Sequence, residues 1–332
     1  MRRRSLLFGT VMLATAMRQA MAQKPARTKR VAMVHPATKP DEMRIGGDPT
    51  FEVIFEEIKR LGYVEGTNLV VDRYSADGRF NRFPEIAHEV VATQPDVICA
   101  MSNPLVLALK SETRTIPIVA WTSDPIAAGI VSNLARPGGN VTGVSIDAGL
   151  EVVSKRVQLF AEAVGKLSNV RLLTQAQLQS PYFKMTMEAA ERLNIILRLE
   201  PLHPPINEAE YRRAFEAMQR DHVDGVYIAA DSENYTHRVL LGQLAKQYRL
   251  PAICWYSDSV RAGALMSHGF DLKSGASRVA AQIVEILNGG KPAQMPYFQE
   301  THFELVINLK AAKELGLEIP SGLVASADAL IE

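Results

Sequence analysis

The 332-residue chain has only two cysteines, Cys99 and Cys254. That excludes a disulfide framework and a four-cysteine zinc site. Its seven histidines are scattered, with no pair at metal-ligand spacing. His88-Glu89-Val90-Val91-Ala92 begins like a zinc-protease motif, but Ala92 stands where the second histidine belongs. Charge of one sign is also missing: 37 basic and 36 acidic residues give a net charge of +1, unlike the basic stripe of a nucleic-acid binder. The phosphate- and nucleophile-bearing motifs are absent too: no G-x-G-x-x-G follows the first strand, and there is no Walker loop, G-x-S-x-G elbow or S-x-x-K. Gly289-Gly290-Lys291-Pro292 follows a helix, where glycine and proline act as a stop signal. No cofactor and no metal are expected.

What is present begins with the leader. Arg2, Arg3 and Arg4 precede an apolar stretch from Leu6 to Met17, and Ala20-Met21-Ala22 puts small residues where an A-x-A cleavage site needs them. This is the order of a secretory signal peptide cleaved after Ala22. Twelve helical residues span about 18 Å, too short for a hydrocarbon core of roughly 30 Å. Arg3-Arg4-Ser5-Leu6-Leu7 resembles a twin-arginine export signal, and no cysteine is placed for lipid anchoring. Removing residues 1–22 takes away four arginines and no acid, leaving 33 basic against 36 acidic residues, a net charge of −3. A periplasmic, monomeric mature protein is expected.

The mature chain alternates apolar runs with amphipathic stretches. Strands are predicted at 30–34, 68–74, 97–100, 116–120 and 141–144, then at 170–173, 195–199, 225–229, 252–255 and 264–267. Helical patterns lie between them, as in Phe51-x-x-Ile54-Phe55-x-x-Ile58-x-x-Leu61. Such alternation predicts an α/β architecture with parallel sheets covered on both faces. The chain also repeats itself. Ile116–Asp124 overlays Leu250–Asp258, matching Pro117 with Pro251, Trp121 with Trp255, Ser123 with Ser257 and Asp124 with Asp258. Either two buried strands share a composition by chance, or the chain holds two similar lobes, whose strand ends would face each other across a cleft, where open α/β sheets bind ligands.

Polar and aromatic residues at those strand ends are the candidate ligand contacts. They are His35, Ser75, Ser102, Asn103, Thr122, Ser123 and Asp124 in the first lobe, and Gln175, Asp231, Ser232, Trp255 and Tyr256 in the second. Each has a structural alternative: serine, asparagine and aspartate as helix caps, the aromatic residues as packing against the sheet. No nucleophile–base pair accompanies them, which suits recognition rather than turnover. Cys99 and Cys254 fall in strands of different lobes and read as buried free thiols.

Several segments together resemble a known family. They are Arg60–Asn68 (RLGYVEGTN), Ile116–Val119 leading to Ser123–Val131 (SDPIAAGIV), Leu134–Ser145 (LARPGGNVTGVS), Ala262–Gly269 (AGALMSHG) and Phe303–Lys313 (FELVINLKAAK). The chain resembles the exported substrate-binding proteins of ABC importers, in the branch with tryptophan- and tyrosine-binding members. The resemblance implies a type I periplasmic-binding-protein fold, two Rossmann-like lobes with three crossings near 145–149, 269–272 and 291–297. It divides the chain into a signal peptide (1–22), an N-terminal lobe (29–145 plus 271–292) and a C-terminal lobe (146–270 plus 293–332). It implies capture of a small organic solute, amino-acid-like or aromatic, and delivery to an inner-membrane permease. A sensor for a signalling receptor is the alternative, and an enzyme on the same fold a third reading. It also implies that Asp124 pairs with a ligand amine, that Ser102, Asn103 and nearby N–H groups take a carboxylate, and that Asp231, Ser232 and Trp255 close from the other lobe. The chain departs from the family pattern after its first strand, where Val34-His35-Pro36-Ala37-Thr38 leads into a loop carrying Asp41, Glu42, Arg44 and Asp48.

Overall fold

The computed structural model describes residues 27–146, 149–175 and 181–332; the expected signal peptide lies outside them. Two sheets form the frame. The first has the order β11-β5-β4-β3-β1-β2, the second β13-β12-β10-β9-β8-β6-β7. In the first, β1 (Lys29–His35), β2 (Leu69–Ser75), β3 (Val97–Met101), β4 (Ile118–Thr122), β5 (Val141–Ser145) and β11 (Phe298–Gln299) are all parallel. The second holds β6 (Asn169–Gln175), β7 (Ile196–Leu202), β8 (Gly225–Ile228), β9 (Ala252–Cys254) and β10 (Met266–Phe270) in parallel. There β12 (Phe303–Asn308) runs antiparallel to β10, and β13 (Ala329–Ile331) follows β12. This antiparallel edge departs from the all-parallel expectation.

Helices cover both faces of each sheet, and the two-residue period of the strands sorts the cores. On β1, Val31 and Met33 face α1 (Pro49–Arg60) and α10 (Leu272–Leu287), while Ala32 and Val34 face α2 (Phe83–Ala92) and α3 (Asn103–Glu112). On β6, Leu172 joins α4 (Gly149–Val164) and α5 (Pro181–Glu191). Leu173 joins α6 (Glu208–Arg220), α8 (Arg238–Gln247) and α9 (Ser257–Arg261). Three short helices complete the chain: α7 (Ser232–Thr236), α11 (Leu309–Leu315) and α12 (Ser321–Ser326).

The chain passes between the sheets three times. The first passage follows β5, and the second lies between Phe270 and Leu272, where Asp271 accepts from Lys273 N and starts α10. That helix returns to the first sheet and packs on α1, β3, β4 and β5. The third passage comes later than 291–297. Thr142 Oγ1 donates to Met295 O, Tyr297 N donates to Leu134 O, and β11 pairs with β5 as Phe298↔Val144. These bonds hold 291–299 on the first lobe, and the chain leaves it between Glu300 and Phe303. The two-residue β11 carries no periodicity from which sequence alone could place it.

Candidate functional site

The strand ends of the two lobes meet in a cluster of aromatic rings. Phe270, on the second crossing, lies between the two tryptophans, with ring centroids 6.3 Å from Trp121 and 6.1 Å from Trp255. Tyr256 stands edge-on to Phe270 and to Tyr235, and Tyr235 approaches His35 of the first lobe. Trp121 packs inward against α10, where Gly275 makes room for it: a Cβ at that position would sit 2.9 Å from the indole. Trp255 carries the Arg156 guanidinium 3.4 Å above its ring.

The predicted contact residues all lie at or just beyond the carboxyl ends of strands of the two sheets, and many are occupied by local bonds. Asp124 Oδ1 accepts from Ile126 N and Ala127 N, the capping alternative. Asn103 and Ser123 tie two turns together: Asn103 Oδ1 accepts from Ser123 N, and its amide donates to Ser123 Oγ. Ser75 Oγ accepts from Asp77 N, and the Thr122 hydroxyl bonds Tyr297 Oη at 2.7 Å. His35 Nδ1 accepts from both Ala37 N and Thr38 N, which fixes its proton on Nε2. Burial, aided by the Arg238 charge, pushes the His35 pKa down to about 3, so the ring stays neutral. Asp231 caps α7 through Asn234 N and accepts from Thr174 Oγ1. Ser232 begins α7 and is half-buried, and its carbonyl accepts from the Thr236 hydroxyl.

Other polar groups at the junction have no hydrogen-bond partner among the described residues. Thr38 Oγ1 and Ser102 Oγ are such atoms on the first lobe; Gln175 Nε2 and both carboxyl oxygens of Glu233 are such atoms on the second. Ser102 adopts φ +82°, ψ 143° at the N-cap of α3, and its side chain makes no capping bond. A non-glycine residue held there stores strain of about 1–3 kcal/mol. Glu233 is 2% exposed and lies against the other lobe at Gly78, where a Cβ would come within 3.2 Å of Oε1. Desolvation, then the Asp231 charge, raises its pKa to about 8. Asp231 is raised to about 7 by burial, against the opposing effect of its hydrogen bonds. Both are therefore protonated to a large extent near neutral pH, and both become anions when a cation is brought beside them.

A separate set of bonds fastens one lobe to the other. Asp48 caps α1 by accepting from Thr50 N, and it also accepts from Tyr235 Oη of the second lobe at 2.7 and 2.9 Å. Because the phenol has one proton, the Thr50 hydroxyl donates to Tyr235 Oη, 2.6 Å away. Arg238 reaches Asp48 at 3.3 Å and Asp258 at 2.9 Å, and lies 4.3 Å over the Tyr235 ring. Sequence reading marked Thr38 and Asp48 only as part of a departure from the family pattern, and missed Arg156, Glu233, Tyr235, Arg238 and Phe270. A signal existed for one of them: Arg156 interrupts the apolar stripe Val153, Val157, Phe160 of α4.

Comparison with known proteins adds the context. The profile of a family described as ABC transporter substrate binding protein matches residues 46–331. A tyrosine-binding protein of Clostridioides difficile (strain R20291) is 27% identical over 264 residues, covering 77% of this chain and 73% of that protein. A crystal structure of a conserved domain protein from Vibrio cholerae superposes with a TM-score of 0.79 at 27% identity, covering 92% of this chain and all of that one. The structure of an ABC domain in complex with L-Trp from Streptococcus pneumonia gives 0.76 at 22% identity, again over 92% and 100%. Among the described residues, no helix is long and apolar enough to cross a membrane.

Proposed function

The chain belongs to the ABC transporter substrate-binding protein family, whose role is to bind a small solute and hand it to a permease; from that premise we propose that its solute is a small aromatic compound bearing an amino group, an aromatic amino acid being the natural member of that class. The observation that carries this is Glu233. It is a buried carboxyl group with neither oxygen partnered among the described residues, placed where the lobes meet. A buried polar group left without a partner costs about 1–3 kcal/mol, and a ligand ammonium would remove that cost. The ring cluster beside it offers edges and faces to an aromatic group. Contacts from both lobes favour the closed state, so binding and closure are one equilibrium.

In this reading Thr38, Ser102 and Gln175 supply the neutral polar contacts, alongside His35, Asp231, Ser232, Trp255 and Tyr256. Asn103, Ser123 and Asp124 shape the turns behind them. Residues 1–22 act as an export signal, so the mature protein meets its permease at the inner membrane. Titration of the purified mature chain with L-tyrosine, L-tryptophan and L-phenylalanine, followed by intrinsic fluorescence and calorimetry, tests the solute class. Saturable binding of at least one supports it. Silence toward all three, with binding of an uncharged sugar such as myo-inositol instead, overturns it.

A further inference from the structure

Arg156 is the least explained charge in the molecule. It occupies a core position on α4 and is 0% exposed. Its Nε donates to His268 O and its Nη1 to Tyr227 Oη, while Nη2 has no partner among the described residues. The other buried arginines have acids: Arg238 sits between Asp48 and Asp258, and Arg171 reaches Asp221. No ion pair among the described residues includes Arg156. A guanidinium does not escape by losing its proton, and an isolated buried charge is among the costliest features a fold can hold. The Trp255 ring beneath it belongs to the aromatic cluster that joins the lobes.

We propose that Arg156 is the anion-binding residue of the cleft, its free Nη2 taking the carboxylate of the solute. The inference rests on the amine-bearing reading above and deepens it to a zwitterion whose carboxylate is held on the second lobe, beside the Trp255 ring. The first lobe then closes over it with neutral groups. A guanidinium held by two other bonds and a ring face is already oriented, so little side-chain freedom is lost on binding.

Three probes and two variants test it: L-tyrosine, tyramine (no carboxylate) and 3-(4-hydroxyphenyl)propionate (no ammonium), with the wild type, Arg156→Met and Arg156→Lys. The wild type is expected to bind L-tyrosine roughly 10- to 100-fold more tightly than tyramine, the worth of a charge-assisted hydrogen bond in a dry site. In Arg156→Met that difference falls to about twofold or less, and Arg156→Lys restores part of it, as a point charge without the planar fork should. Because Arg156 also supports Trp255, each variant is checked for folding by its thermal midpoint, and if Arg156→Met fails to fold, the comparison of probes on the wild type can still overturn the assignment while Arg156→Lys carries the test of the residue. Equal affinity for tyrosine and tyramine overturns the assignment and leaves the amine reading standing, as does discrimination that survives in Arg156→Met. Equal affinity for tyrosine and the propionate overturns the amine reading, and with it the zwitterion. Silence toward all three overturns both.

Discussion

Replacing Asp48 by asparagine should open the lobes without touching the solute. Asparagine keeps the shape and the helix-capping carbonyl, so α1 should start as before. What goes is the negative charge that accepts from Tyr235 Oη and lies 3.3 Å from Arg238. Arg238 keeps Asp258, and Tyr235 keeps Thr50, so the 3–5 kcal/mol penalty of stranding a buried charge does not apply in full. The loss is that of a charged hydrogen bond, about 1.5–3 kcal/mol, all of it in the closed state. By population arithmetic the apparent Kd for the solute should rise about 10- to 150-fold where the open state then dominates. Small-angle scattering of the ligand-free protein should show a larger radius of gyration. Calorimetry gives the first quantity and scattering the second. A variant with unchanged affinity and unchanged scattering would refute the argument, whatever happened to its melting temperature.

Glu233→Gln should abolish the preference for amine-bearing probes. In the wild type, capture of an ammonium should expel a proton from Glu233, so affinity rises with pH up to about 8, and the binding enthalpy at pH 7 changes with the ionisation enthalpy of the buffer; a buffer-independent enthalpy would refute it. Ligand-free stability should depend on pH through two opposed pairs. Asp231 and Glu233, raised to about 7 and about 8, bind protons more tightly folded than unfolded, so stability falls as pH climbs toward 8. His35 and His268, lowered to about 3 and about 4, bind them less tightly, which offsets the carboxyl loss between about pH 4.5 and 6.5; denaturant midpoints should be level over that span and fall from about 6.5 to 8, and a rise over that upper range would contradict this. Gly275→Val should cost about 1–3 kcal/mol by driving a side chain into the Trp121 indole, read as a lower denaturant midpoint. Cys99 and Cys254, buried and pushed up to about 12, should react with a thiol reagent only after unfolding.

The two-lobe α/β plan was legible because it depends on periodicity. Phe51, Ile54, Phe55 and Ile58 face one way on α1 as their spacing requires, and the Trp121/Trp255 repeat marks equivalent strand ends. The third crossing was not legible, because Tyr297 and Thr142 settle it through contacts far apart in sequence. The strand-end rule located the junction, and capping chemistry explains why several polar residues there are not free. Asp124 satisfies the backbone of its own turn and Asn103 that of Ser123, which a sequence cannot weigh against binding a ligand. Glu233 and Arg156 escaped notice for the opposite reason. An acid in a short helix is ordinary until burial shows neither oxygen partnered, and an arginine that breaks an apolar stripe is only an irregularity until the structure shows one of its nitrogens, Nη2, left over among the described residues.

Phe270 gives the molecule a bearing. It ends a strand of the second sheet where the chain leaves for the first, and its ring meets the two tryptophans, one from each repeat, at nearly equal distances. Trp255 shares the second sheet with Phe270, so a rotation of the first lobe about that point should change the Trp121 contact and leave the Trp255 contact in place. Of the only two tryptophans in the chain, Trp121 thus stands across the axle and Trp255 beside it, so the emission of the first should follow the angle between the lobes while the second serves as its reference.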